Sequence, residues 1–232
     1  MKNAKSVVLL SGGLDSAVSL ALAVKKGFRI NLALTFDYGQ KSAGQEIRAA
    51  GMLSRKYHIR HTVFNLKWLG KLASNPLTDK TKPVPHPSKY NKSASKPACA
   101  KPSAKTRSVW IPNRNALFIN IAASFAEASG YQYIIAGFNK EEAVNFPDNS
   151  IQFINAINKT LHYSTLPLRS RLSEARKNIT VISLTAKMDK KEIIKQGKKL
   201  GLPLDKLWSC YEGGKKQCGL CESCQRSSNS SS

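Results

Sequence analysis

Acidic residues are scarce in this chain: 14 Asp and Glu stand against 37 Lys and Arg in 232 residues, a formal net charge of +23. That excess attracts polyanions, so nucleic acid is a candidate partner. No run of 18 or more apolar residues occurs, which excludes a transmembrane helix and gives no reason to expect a membrane partner. The start, MKNAKSVVLLSGGLDS, has a short apolar run but no A-x-A-like cleavage site. It reads as a strand entering a glycine-rich turn and not as a signal peptide. The expected location is therefore cytoplasmic, where the five cysteines stay reduced and closely spaced ones serve as metal ligands more often than as disulfides. Histidine is also sparse. His58, His61, His86 and His162 have no metal or triad spacing and are expected at the surface or in loops. Hydrophobic residues at 41% and charged residues at 22% argue against wholesale disorder. The length suits one domain, or one with a small appendage, and a real core.

The positive charge is unevenly distributed. Residues 80–107 hold eight basic side chains, no acidic ones and five of the ten prolines. With almost no large apolar side chains to offset ordering entropy, this stretch is expected to be a long flexible insertion. A polybasic arm gripping nucleic-acid phosphates is its functional alternative. From Lys187 to Lys199, lysines alternate with Ile193 and Ile194 at helical spacing, as on the wet face of an amphipathic helix. Residues 227–232 are nearly pure serine and are expected to be disordered.

Elsewhere strands and helices alternate. Strands are expected at 5–10, 30–36, 60–66, 133–138 and 179–184, and helices at 15–26, 45–57, 116–129, 150–162 and 190–200. Asp189 and Glu192 form a capping-box-like start to the last helix, and Gly201 and Pro203 close it. The pattern implies an α/β fold, a mainly parallel sheet with helices on both faces, over residues 1–205. Ligands of such sheets bind beyond the carboxyl ends of the strands.

Ser11-Gly12-Gly13-Leu14-Asp15-Ser16 lies between the first strand and the first helix. Glycines there let the backbone approach an anion, N–H groups at the helix start point at it, and Ser11 and Ser16 add hydroxyl donors. Asp15 is suited to capping the helix or holding Mg²⁺. The string is neither a Walker A loop nor GxGxxG. Near the other end, Cys210, Cys218, Cys221 and Cys224 place four thiols in 15 residues with two CxxC steps. This set suits a tetrahedral Zn²⁺, or secondarily an iron–sulfur cluster, in a small module over residues 206–226. With four protein ligands no position remains for a catalytic water, so the role is structural. Cys99, in the insertion, has no assigned role.

SGGLDS resembles the signature of the PP-loop ATP pyrophosphatases, whose adenine-nucleotide alpha-hydrolase-like fold adenylates an oxygen and releases pyrophosphate. Four further segments are similar, in sequence order, to those of the 7-cyano-7-deazaguanine synthase family of the queuosine pathway. They are Phe36-Asp37-Tyr38-Gly39-Gln40, Pro112-x-Arg114-Asn115, Phe146-Pro147-Asp148 and Trp208-Ser209-Cys210-Tyr211. Leu77-Thr78 with Val84-Pro85 adds a fifth. The resemblance implies ATP-dependent conversion of 7-carboxy-7-deazaguanine and ammonia to 7-cyano-7-deazaguanine, with ATP and Mg²⁺ at the bend, structural Zn²⁺ and a homodimer. It places ATP on Leu10, Ser11, Gly12, Gly13, Leu14, Asp15, Ser16 and Asp37. Catalysis is expected from Ser11, Asp15, Ser16 and Arg114. The deazaguanine would meet Asp37, Tyr38, Gln40, Arg114, Asn115, Phe146 and Asp148. One departure stands out: Asn149 occupies a position where the family often has cysteine, so that cysteine is no essential nucleophile here. The alternative is a PP-loop enzyme that adenylates a tRNA base for thiolation or amination, to which the net charge and the basic insertion would contribute.

Overall fold

The computed structural model describes residues 3–72, 75–86, 109–170 and 173–228. The central sheet uses β1 (Lys5–Leu9), β2 (Arg29–Asp37), β3 (Arg60–Asn65), β4 (Tyr133–Ile135) and β7 (Thr180–Ile182), in the order β3-β2-β1-β4-β7. Every neighbouring pair in it is parallel. The helices α1 (Leu14–Lys25), α2 (Ala43–Lys56), α4 (Arg114–Ser129), α6 (Ile151–Ser164) and α7 (Lys190–Lys199) correspond to the five expected from periodicity. Short helices α3 (Lys67–Lys71), α5 (Lys140–Asn145) and α8 (Glu222–Ser228) lie where none was expected, as does the antiparallel hairpin of β5 (Leu168–Ser170) and β6 (Ser173–Lys177).

Alternation along the strands builds two cores. Val8, Ala33 and Ile135 join α1, α2 and α7 on one face. Val7, Leu32, Leu34, Ile134 and Val181 join α4 and α6 on the other. A side-chain period of two on strands backed by helices on both sides produces this division. The chain runs outward from β1 through β2 to β3, then returns to β4 on the opposite side of β1. The carboxyl ends of β1 and β4 therefore form the topological switch point, where parallel sheets leave a crevice. Ser150 caps α6 by accepting from the Phe153 N–H at 3.1 Å, and Asp189 and Glu192 make the expected capping box on α7.

Three expectations need correction or limits. Residues 87–107 of the insertion lie outside the described residues, as do Cys99 and residues 229–232 of the serine tail. The insertion's first part is not coreless, however: Val84 is buried against Cys210, Cys221 and Cys224. Ser227 and Ser228 end α8 instead of belonging to a disordered tail, because the helix begun at Glu222 carries through them.

Candidate active site

The loops following β1 and β4 meet at the switch point and open onto a cavity of about 260 Å³. Gly12 takes φ +75, and a Cβ there would stand 2.5 Å from the Glu46 carbonyl oxygen. A Cβ on Gly137, after β4, would stand 2.5 Å from Ser16 N. Both positions therefore require glycine on grounds of space, and Gly12 also on grounds of conformation. Gly13 is the N-cap of α1 and offers no side-chain acceptor, and the helix start from Gly13 to Ser16 lies on the cavity lining. Around it, Ser11 Oγ and Ser16 Oγ lie 3.1 Å apart, and Ser16 Oγ donates to the Gly13 carbonyl at 3.1 Å. Ser209 Oγ accepts from the Leu14 N–H at 3.4 Å, and the Trp208 N–H donates to the Gly12 carbonyl at 3.0 Å. The cysteine-bearing segment thus braces the bend from outside.

Asp15 does not cap α1. It lies within the first turn, and both its carboxylate oxygens accept from Lys190 Nζ, at 3.0 and 2.8 Å. Lys190 belongs to the stretch read as a solvated face, yet its side chain is 4% exposed. Its position at the start of α7, immediately after the Asp189 cap, turns it inward while the later lysines face water. Burial disfavours the Lys190 charge, but Asp15 and then Glu142 outweigh this and raise its pKa. Burial pushes the Asp15 carboxyl up, and the Lys190 ammonium pulls it back. The pair places a cation beside a helix start, an arrangement suited to a phosphate chain.

Toward β2 the cavity becomes aromatic and guanidinium-bearing. Arg114 Nη1 donates to Tyr38 Oη at 3.2 Å, and its guanidinium carbon is 5.6 Å from the Tyr38 ring centroid. Gln40 accepts from the Tyr38 N–H at 2.9 Å and donates to the Glu46 carboxylate at 3.0 Å. Burial pushes the Glu46 carboxyl up, and donors from Ser42 and Gln40 partly offset this. Phe146 lines the cavity as well, and behind the lining the Trp110 ring lies nearly parallel to that of Phe146, 8° apart with centroids at 6.3 Å. Flat apolar faces beside an arginine fit a planar heterocycle.

Of the residues expected from sequence, Leu10, Ser11, Gly13, Leu14, Asp15, Ser16, Tyr38, Gln40, Arg114, Asn115 and Phe146 line one cavity. Gly12 supports it from behind through the Trp208 contact. Asp37 and Asp148 are not on its lining. Asp37 accepts from the Gly39 N–H at 3.0 Å and pairs with Lys67 at 3.5 Å, so it shapes the turn after β2. Asp148 accepts from Asn149 Nδ2 at 3.2 Å, and its backbone carbonyl accepts from Asn115. Lining residues that sequence reading did not single out include Glu46, Glu142, Lys190 and Ser223. Their signal was weak, because each sits in a stretch whose average character, basic, loop-like or cysteine-rich, conceals one inward side chain. His61 likewise departs from expectation: half-buried, its Nε2 is 2.7 Å from Thr35 Oγ1, which donates to the Leu10 carbonyl at 2.6 Å.

The four cysteines converge, with all Sγ atoms within 4.8 Å of one another. Cys218 and Cys224 sulfurs are 3.9 Å apart, and those of Cys221 and Cys210 4.0 Å. A tetrahedral ion with metal–sulfur bonds of ~2.3 Å needs sulfurs roughly 3.8 Å apart, so the donor set fits a metal ion. Backbone N–H groups of Glu212 and Cys218 point at the Cys210 sulfur, each at 3.3 Å. Burial still pushes the Cys210 thiol up to about 11. For Cys218 burial is outweighed by the Cys221 and Leu220 N–H groups, which bring the thiol down to about 7. Such donors stabilise the thiolate form that metals bind.

Comparison with known proteins completes the picture. The profile of the family described as "Queuosine biosynthesis protein QueC" matches residues 5–230. The chain is 49% identical over 222 residues to the 7-cyano-7-deazaguanine synthase of Desulforudis audaxviator (strain MP104C), spanning 96% of this chain and 94% of that one. Identity to the 7-cyano-7-deazaguanine synthase of Methanosarcina mazei is 38% over 222 residues, 96% and 91% of the two chains. Among solved structures, a 4-thiouridine synthetase–RNA complex with bound ATP is similar at a TM-score of 0.51 and 21% identity, over 88% of this chain and 42% of that one. That likeness is one of fold.

Proposed function

The chain belongs to the QueC family of queuosine biosynthesis proteins, and on that premise we propose how its cavity makes 7-cyano-7-deazaguanine from 7-carboxy-7-deazaguanine, ammonia and ATP. The chain is an ATP-dependent carbon–nitrogen ligase. The triphosphate lies along Ser11 to Ser16, its charge met by the α1 amides, the two serine hydroxyls and Lys190. The bend carries this reading: an N-cap without a side chain at the switch point, with a buried lysine opposite. Donors fixed around a departing pyrophosphate stabilise charge that grows as it leaves. Asp15, on the cavity lining beside Lys190, would hold Mg²⁺, which would offset the charge of the phosphates. Leu34 and Phe36, at the end of β2, offer the adenine an apolar wall.

Arg114, Tyr38, Gln40 and Asn115 face the deazaguanine, with Phe146 beside its ring. Asp37 and Asp148 hold the loops that carry these groups. The substrate carboxylate attacks the α-phosphate to give an acyl-adenylate and pyrophosphate. Ammonia then displaces AMP to form an amide; a second ATP adenylates the amide oxygen with release of pyrophosphate, and AMP leaves with that oxygen as the nitrogen gives up its two protons, which yields the nitrile. Arg114 balances the carboxylate before attack and the adenylate after it. The four cysteines would hold Zn²⁺ in a structural role, and the functional unit is a cytoplasmic homodimer. Synthase relatives matched over 96% of the chain favour this reading over a tRNA-modifying one, whose support is the net charge of +23. Incubating the purified protein with ATP, Mg²⁺, ammonium and 7-carboxy-7-deazaguanine should yield a product with the nitrile mass. Nucleotide turnover only in the presence of tRNA would refute it.

A further inference from the structure

Arg226 lies on α8, two residues beyond Cys224, and its side chain is 5% exposed. Its Nη2 donates to the carboxylate of Glu222, which directly follows Cys221. Its Nη1 lies 3.9 Å from Glu142 Oε1. Glu142, on α5, lines the cavity, and its charge acts on Lys190, Asp15 and Arg114. Glu142 thus stands between the Arg226 pair, tied to the cysteine segment, and a cavity it shares with Lys190, which Asp15 already engages and whose backbone N–H donates to the neighbouring Glu141 carboxylate at 2.9 Å. Were Glu142 to turn fully to Lys190, one ammonium would carry two carboxylates. The net charge at the bend would then be negative, and a phosphate chain would be repelled.

We propose that Arg226 is a positioning residue: anchored in the four-cysteine segment, it holds Glu142 off Lys190, so that Lys190 keeps its charge for phosphate. The inference rests on the reading that ATP occupies the Ser11–Ser16 bend. It gives the four-cysteine module a part in binding as well as in folding, which agrees with Ser209 and Ser223 of the same segment lining the cavity.

The test uses the full, metal-loaded chain, with metal content measured for every variant and affinity for ATP–Mg²⁺ and for pyrophosphate measured calorimetrically without deazaguanine. Arg226→Gln should weaken ATP binding at least about thirtyfold, the lower end of what removal of one partner from a buried charge pair causes. Arg226→Lys should recover most of the loss. Adding Glu142→Gln to Arg226→Gln should restore affinity to within about threefold of Glu142→Gln alone, since the misplaced charge is then gone. A merely structural Arg226 gives no such rescue, so additive losses in the double variant would overturn the proposal, as would unchanged affinity in Arg226→Gln. If Arg226→Gln does not retain its metal, Arg226→Met with and without Glu142→Gln poses the same question with the same deciding sign. A wild-type chain that binds neither ATP nor pyrophosphate would overturn the proposed function itself. Wild-type binding with an unaffected Arg226→Gln overturns this inference alone.

Discussion

Lys190 does more within the molecule than its lysine-rich surroundings suggest. Its ammonium serves Asp15 in the folded state and, in the proposed complex, a phosphate as well. Lys190→Met leaves a buried carboxylate without its partner, and breaking such pairs typically costs about 3 kcal/mol. Urea unfolding at pH 7 should show a loss of that order, and turnover should fall with it. The folded-state pKa of Lys190 is raised. Its contribution is therefore fully present below the ordinary lysine value and is lost as pH rises through the raised one. The stability difference between wild type and Lys190→Met should consequently hold from pH 7 to 9 and shrink only in strong alkali. Gly12→Ala probes the backbone instead. The left-handed conformation disfavours a side chain by roughly 1–2 kcal/mol, and the Cβ would also meet the Glu46 carbonyl. Nucleotide affinity should drop more than global stability, because the displaced atoms belong to the bend.

At the level of elements, legibility followed local signals. The capping box of α7 and the apolar periods of α1, α2 and α4 could be read because helix starts and buried faces leave marks within a few residues. α5 could not: its six residues are too short for a period, and its existence depends on Asn139 accepting from the Glu142 N–H at 2.8 Å. β5 and β6 pair with each other outside the main sheet, so no buried alternation announced them. Ser150 offers an element-scale check. Ser150→Ala removes the α6 cap and should lower stability by about 1 kcal/mol in thermal or urea unfolding. The cysteine segment offers another. Removing its metal should release one ion per chain and raise amide exchange across residues 207–226, because four thiols gathered without an ion lose the bonds that hold them. Unchanged exchange after stripping would show that the segment holds itself together by packing alone.

Across the whole molecule, a strand order with a switch point between β1 and β4 brings residues 11–16, 38–46, 114–118, 136–146, 190 and 208–223 to one crevice. The motif residues of that set were legible because each motif is local. Lys190, Glu46 and Glu142 were not, because only tertiary packing turns one member of a charged stretch inward. The separation of the phosphate bend from the guanidinium and aromatic end suits a reaction that joins a nucleotide to a second, planar substrate. Diffraction from crystals grown with Mg²⁺ and a non-hydrolysable ATP analogue tests the central assignment most directly. Phosphates seated within hydrogen-bonding reach of the Ser11–Ser16 amides and hydroxyls and of Lys190 Nζ are expected. An ordered triphosphate bound elsewhere, with that bend unchanged, would contradict it.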